Sequence, residues 1–215
     1  MTREQVVSFT ENQIKAFTPI QIQAFLPLQV AAFTQEQIAS FLPLQIPYFS
    51  EKQVVSFTPE QVVSFTENQI KAFTPIQIQA LTPIQIRSFL PIQIKSFTLL
   101  QIQSLTEEQV PFFTEDQIQA LTSIQIESFT SLQIPLFTSE QIPLFTTEQI
   151  SFFTQISFFT IEQIRSFTSS QILHFTKTQI SSFWSWQIQS LTKEQIQSFT
   201  TEQIKFLRYH KFSHW

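Results

Sequence analysis

A phrase close to F-T-x-x-Q-I-x-S returns every eight residues, in 26 copies along 215 residues, and every copy contains a Gln. With Phe as position 1, copies begin at Met1, Phe9, Phe17 and so on to Phe145. A six-residue copy begins at Phe153, and the frame resumes from Phe159 to Phe199. So short a period, with apolar residues at fixed offsets, marks a stacked array and not a globular domain built around one central site. The repeat constrains architecture strongly and activity hardly at all.

Three backbone forms can be tested against a period of eight. In one long α-helix, eight residues turn by roughly 800°, so a Phe stripe drifts by roughly 80° per copy and smears around the helix. The recurrent prolines oppose it as well. In a strand, Phe at position 1 and Ile at position 6 point to opposite faces, while Phe shares its face with Gln. A short helix restarted in every copy fits. In Thr10-Glu11-Asn12-Gln13, Thr is the N-cap and Gln stands at N3, which forms a capping box. Phe9 and Ile14 then occupy the two positions of a hydrophobic staple.

Proline placement agrees with this frame. Pro19, Pro27, Pro43, Pro59, Pro75, Pro83 and Pro91 fall at N1, where a missing N–H loses no bond. Leu26, Leu42 and Leu90 replace the capping Thr, and each is followed by such a proline, which compensates the substitution. Pro47, Pro111, Pro135 and Pro143 fall at position 7, where a helical bond is lost, so those copies should hold a single turn. The residues that follow them, Tyr48, Phe112, Leu136 and Leu144, replace the usual Ala or Ser and are expected to turn into an apolar space.

Charge placement tests the frame independently. Fifteen of the sixteen acids occupy positions 3 or 4, and only Glu127 does not. Six of the twelve bases, Lys15, Lys71, Arg87, Lys95, Arg165 and Lys205, occupy position 7. Acids at helix starts and bases at helix ends match the helix dipole. Glu11 with Lys15, and Glu67 with Lys71, also have i,i+4 spacing. An isolated turn of this length does not persist, because nucleation is unfavourable, so neighbouring copies must stack and share buried faces. The expected fold is all-α: a solenoid or superhelix of one- to two-turn helices, one per octad, over residues 1–206. Residues 207–215, LRYHKFSHW, leave the repeat as a cap or tail.

Composition removes several function classes. The chain has no Cys and no Gly, so thiolate chemistry and glycine-dependent phosphate loops are excluded. Hydrophobic residues make up 42%, too apolar for simple disorder. No run of apolar residues is long enough for a membrane span, and the N-terminus lacks the apolar core of a signal peptide. A cytoplasmic location and export by a signal-independent route both stay open. Net charge is −4, with eight acids and no base between Lys95 and Arg165, and six bases against two acids from Arg165 onward. Surface drift explains this asymmetry, as does steering of a partner or head-to-tail association. Twelve scattered Lys/Arg form no basic stripe, so no nucleic-acid partner is expected.

FTPEQVVSFT at residues 57–66 is similar to the opening of TAL-effector repeats. Those repeats are about four times longer and carry a Gly-containing loop that a Gly-free chain lacks, so the shared letters reflect common capping chemistry. LTPIQIRS at Leu81, LTKEQIQS at Leu191 and FTENQIKA at Phe9 resemble L-T-x-x-Q-I/V-x-A/S octapeptide arrays of large, mostly uncharacterised bacterial proteins. That resemblance covers nearly the whole chain, with Phe where Leu is usual. It implies a solenoid and a bacterial source, and it implies no activity. Residues 4–24 and 60–80 are identical, which points to duplication within the array and suits a scaffold of variable length.

Candidate sites are few. The Gln column is read as capping and internal hydrogen bonding, not as a ligand ladder, and the Thr column as caps, not as an ice-binding face. Position 4 is apolar in four successive copies, Ile76, Ile84, Ile92 and Leu100, and again at Ile124 and Leu132. Contact between neighbouring copies is its expected use; if exposed, it is a protein-binding surface. Trp184 and Trp186 break their copy and either fill a wider gap or mark a contact point. His210 and His214 have metal-ligand spacing without an acidic or Cys partner, and are read as tail. No catalytic set, cofactor site or metal site is assembled. The expectation is a non-enzymatic scaffold, structural or protein-binding, with Ile76, Ile84, Ile92, Leu100, Trp184 and Trp186 as partner-binding candidates. The alternative is a self-associating fibre or surface-adhesive layer.

Overall fold

The computed structural model describes the backbone of residues 2–211 and the side chains of residues 2–207. Among the described residues the regular elements are all helices and there is no strand. Nearly all are short α-helices or single 3-10 turns, one per octad, and the last helix, Thr201–Lys211, is longer. The chain forms the all-α stacked array that its period predicts. It divides into two compact units, Met1–Ala120 and Leu121–Trp215.

One copy shows how eight residues become one step. Thr66 is extended, with φ −71° and ψ 158°, and caps the helix Glu67–Ala72. Its Oγ1 accepts from the Gln69 N–H at 3.3 Å, and its own N–H donates to Gln69 Oε1 at 2.8 Å. The capping box therefore closes as the sequence predicts. Phe73 then leaves the helix at φ −60° and ψ 132°, and its N–H donates to the Ile70 carbonyl at 3.2 Å. An octad is thus a short helix followed by a two-residue extended corner. Because helices here end in right-handed or extended conformations, no described residue has positive φ. That is why the chain can do without Gly, whose usual place at helix ends is the left-handed position.

Substituted copies keep the step by other means. Where Leu26, Leu42 and Leu90 replace Thr, Leu offers no side-chain acceptor, and the N–H of the N3 Gln bonds the Leu carbonyl instead, at 2.8–2.9 Å. The other half of the box survives, with each Leu N–H donating to Gln Oε1 at 2.7–2.8 Å. Copies with proline at position 7 form 3-10 turns, at Pro43–Tyr48, Val110–Phe112, Ile134–Leu136 and Ile142–Leu144, as expected. Of the residues after that proline, Tyr48 and Phe112 do not enter an apolar space, since both are exposed, whereas Leu136 and Leu144 are half-buried.

Coil joins coil through glutamine. Gln69 Nε2 donates to the carbonyls of Ile38 at 2.8 Å and Phe41 at 2.7 Å, which lie 31 and 28 residues earlier. The same pair of offsets recurs from Gln37, bonded to Val6 and Phe9, to Gln117, bonded to Ile86 and Phe89. One coil of Met1–Ala120 therefore closes in 28 to 31 residues, between three and four octads. In Leu121–Trp215 the offsets are 29 and 26 at Gln163, Gln171 and Gln179, then 31 and 28 again from Gln187. The two residues missing from the short copy account for the change. That copy loses the first helical positions, so Gln155 no longer caps, yet Phe153 and Ile156 stay buried.

Behind the glutamines lies the apolar interior. Position 6, Ile or Val, is fully enclosed from Val6 to Ile118. Position 1 rings follow one another edge to face, with centroids 5.0–5.3 Å apart along Phe25, Phe33, Phe41, Phe49, Phe57, Phe65 and Phe73. Such pairs add about 0.5–1.5 kcal/mol each beyond the area they bury. Leu81, Leu105 and Leu121 fill the same place without a ring.

The two-ended use of glutamine makes a sharp prediction. Gln69→Glu keeps the capping oxygen but replaces two donated hydrogen bonds by a buried carboxylate facing two carbonyls. It should destabilise by about 3 kcal/mol or more. Gln13→Glu, in the first coil where the amide is exposed, should change stability by less than about 0.5 kcal/mol. Urea unfolding of the two variants checks the difference.

Candidate functional site

With positions 1, 5 and 6 committed to the interior, the side chains left for contact stand at the outer positions 2, 3, 4, 7 and 8. The Gln column is not available to a ligand over most of its length. From Gln37 to Gln117, Oε1 holds the N-cap N–H and Nε2 holds the coil beneath. The Thr hydroxyls are likewise engaged, for example Thr58 and Thr82 by the N–H groups of Gln61 and Gln85. Both columns cap their helices as the sequence predicts.

Position 4 is not the contact between copies that was expected. Ile76, Ile84, Ile92 and Leu100 are between 48% and 67% exposed, and Ile124 and Leu132 are exposed as well. The second helical residue points away from the coil axis, because Phe at N′ and Ile at N4 define the inward face. The residues are also not one stripe. Ile76 to Leu100 spans 24 residues of a 28- to 31-residue coil, so they are spread around most of one coil. Helices three octads apart pack on one another, so Pro75–Ala80, which carries Ile76, lies against Glu51–Val55 and against Leu99–Gln103, which carries Leu100. Trp184 and Trp186 are exposed, so they fill no gap. Trp184 takes the N-cap position, and its N–H is held by Gln187 Oε1 at 2.8 Å.

Charged groups serve the helices. Glu11 pairs with Lys15, and Glu202 with Lys205 at 2.6 Å. Glu67 does not pair with Lys71; its carboxylate accepts from Ser96 Oγ in the next coil at 3.1 Å. Arg165 Nε also reaches across, to the Ser190 carbonyl at 3.1 Å. Glu4, Glu36, Glu60 and Glu140, each at N2, have pKa values below the ordinary range. The cause is first a hydrogen bond from the residue's own backbone N–H, then one from the capping Thr.

No group of three His, Asp or Glu suited to a metal ion occurs among the described residues. His174 Nδ1 bonds the Ser170 carbonyl at 2.9 Å within its own turn. The His210 side chain and His214 lie outside the described residues. No described helix is long and apolar enough to cross a membrane. A cleft of about 380 Å³ opens at the first coil, lined by Phe9, Phe17, Gln21, Ala24, Phe25 and Gln29. Nothing in the repeat marks it, since these residues have the same letters as enclosed copies; only coil length reveals that no coil covers them.

Comparison with known proteins finds no family model that matches the chain and no curated protein that matches it.

The lowered carboxylates fix the sign of a pH effect. A folded-state pKa below the unfolded one contributes stability that is present above the unfolded value, about 4.3, and is lost as pH falls through the folded value. Thermal unfolding should shift to lower temperature as pH drops below that range. A Glu4→Gln/Glu36→Gln/Glu60→Gln/Glu140→Gln variant should show a smaller shift, and an equal shift would refute the assignment.

Proposed function

We propose that this chain is a non-enzymatic repeat scaffold whose outer surface engages protein partners. The observation that carries this reading is the division of labour within the octad. Positions 1, 2, 5 and 6 are consumed by capping and stacking, whereas position 4 carries exposed Ile and Leu with no structural task. Exposed apolar groups on a repeating backbone suit contact with another protein, since the core of a protein interface is more apolar than the surrounding surface and is enriched in aromatic residues. The belt of Ile76, Ile84, Ile92 and Leu100, together with Trp184 and Trp186, provides the contact groups. A spread around the coil favours a partner that wraps the array, or several partners on different sides, over one flat docking face. Copying of whole octads, as in residues 4–24 and 60–80, lengthens such a surface without disturbing any existing contact.

The test is a variant with Ile76, Ile84, Ile92 and Leu100 all changed to Glu. Helical circular dichroism and the unfolding midpoint should match wild type, because the four side chains are already in water. Photo-crosslinkers beside position 4 should capture a defined protein with wild type and lose it with the variant. Equal capture by both would overturn the reading.

A further inference from the structure

Within Met1–Ala120, one column of packed helices runs through Gln35–Ser40, Pro59–Val62 and Pro83–Ser88. The middle helix has four residues where its neighbours have six. A shallow recess of about 320 Å³ opens at this shorter helix, lined by Gln35, Pro59, Glu60, Val63 and Ser88. Glu11–Lys15 packs on the first of the three helices and Val110–Phe112 on the last, so the recess lies well inside the stack. Pro59 and Val63 give it an apolar lining, and the other side chains are polar.

Those polar groups have spent hydrogens and kept acceptors. Gln35 Nε2 donates to the Glu60 carbonyl at 3.0 Å, which leaves Oε1 without a partner among the described residues. Ser88 Oγ donates its one hydrogen to the Ile84 carbonyl at 2.7 Å, so towards any other group it can only accept. Glu60 makes no ion pair among the described residues, although Arg87 adjoins Ser88 in the chain. Its carboxyl stays ionised at neutral pH, because its own backbone N–H and then the Thr58 hydroxyl hold the pKa below the ordinary range. Acceptors therefore outnumber donors around this apolar lining.

We propose that this recess receives an arginine side chain of a protein partner, with its stem on Pro59 and Val63 and its guanidinium donating to Glu60, Gln35 Oε1 and Ser88 Oγ. The inference rests on the proposed function, in which the outer surface engages proteins, and it names the chemistry of one contact. A guanidinium carries N–H donors and no acceptor, the converse of this rim, and its methylene stem packs readily on an apolar wall. The acceptors come from three helices, and a planar fork of donors serves separated acceptors better than the point charge of lysine. An acidic side chain would meet Glu60 as a like charge, and an aliphatic one would bury the rim acceptors unpaired.

The probe is N-acetyl-arginine N-methylamide, titrated into the isotope-labelled full chain and followed by amide chemical shifts. The citrulline derivative, similar in shape but uncharged, is the control. Shifts at Val63 and Ser88 should move saturably with the arginine probe and stay still with citrulline. Glu60→Gln should weaken binding about tenfold, since it removes a charge-assisted bond. Val63→Lys should abolish binding by setting a cation beside Glu60 from within the chain. Other copies carry Lys15, Lys71 and Lys95 at this position, so the variant should fold, and circular dichroism verifies that. An equal response to citrulline, shifts spread over carboxylates throughout the array, or unchanged affinity in either variant would overturn the proposal. Absence of probe binding while position 4 still captures its partner refutes this inference and leaves the proposed function standing. Probe binding without such capture refutes the position 4 reading alone.

Discussion

The structure depends on one side chain used at both ends. From Gln37 to Gln117, and again from Gln163 to Gln203, glutamine Oε1 accepts the N-cap N–H three residues earlier in its own octad, and Nε2 donates to two carbonyls of the adjacent coil. The first bond starts a helix too short to start itself; the second fixes where the next coil must lie. The assignment of oxygen and nitrogen is forced, since the cap needs an acceptor and the carbonyls need donors. Glutamate could supply only the first function, and asparagine is shorter by one methylene. That explains why Gln stands in every copy while Thr and Phe are sometimes replaced. The buried side-chain polar atoms consequently all have partners among the described residues, although the array buries a Gln in most of its copies.

Around that requirement the repeat tolerates a good deal. Position 2 accepts Ser50, whose hydroxyl caps as Thr does, and also Leu26 or Trp184, because the N-cap N–H bond to Gln Oε1 survives without a hydroxyl. Position 7 accepts proline by tightening α-helix to 3-10 helix, with positions 1 and 6 left in place. Even loss of two residues is absorbed: the bonding offset falls from 31 and 28 to 29 and 26, while Phe153 and Ile156 remain enclosed. What stays constant is the set of groups that face the interior or the adjacent coil. The outer positions are free to diversify, which is the physical basis for reading the chain as a scaffold.

An array whose internal boundaries are alike has no specialised core, and stability is passed from neighbour to neighbour. The glutamine bonds between coils run backwards along the chain, from an amide donor of a later octad to carbonyls of an earlier one.

Local chemistry was legible in the chain. Helix starts at Thr10 or Thr66, prolines at N1, single turns around Pro111 and Pro135, and acids at the first helical residues all follow from forces acting within eight residues. The candidates for contact were legible only in part: Ile76, Ile84, Ile92 and Leu100 stood out as a pattern, but their exposure did not. Contact between copies was the expected role for them, and an apolar space was expected for Tyr48 and Phe112; both groups face outward. The sequence by itself determined the step: an octad that begins a helix, buries positions 1 and 6, and turns a corner. Tertiary structure alone decided how many steps make a coil, and therefore which amides find carbonyls 31 and 28 residues back. The reason is range. Capping and dipole effects act between residues close in sequence, whereas coil closure depends on the sum of many small corner angles, and no single octad encodes that sum.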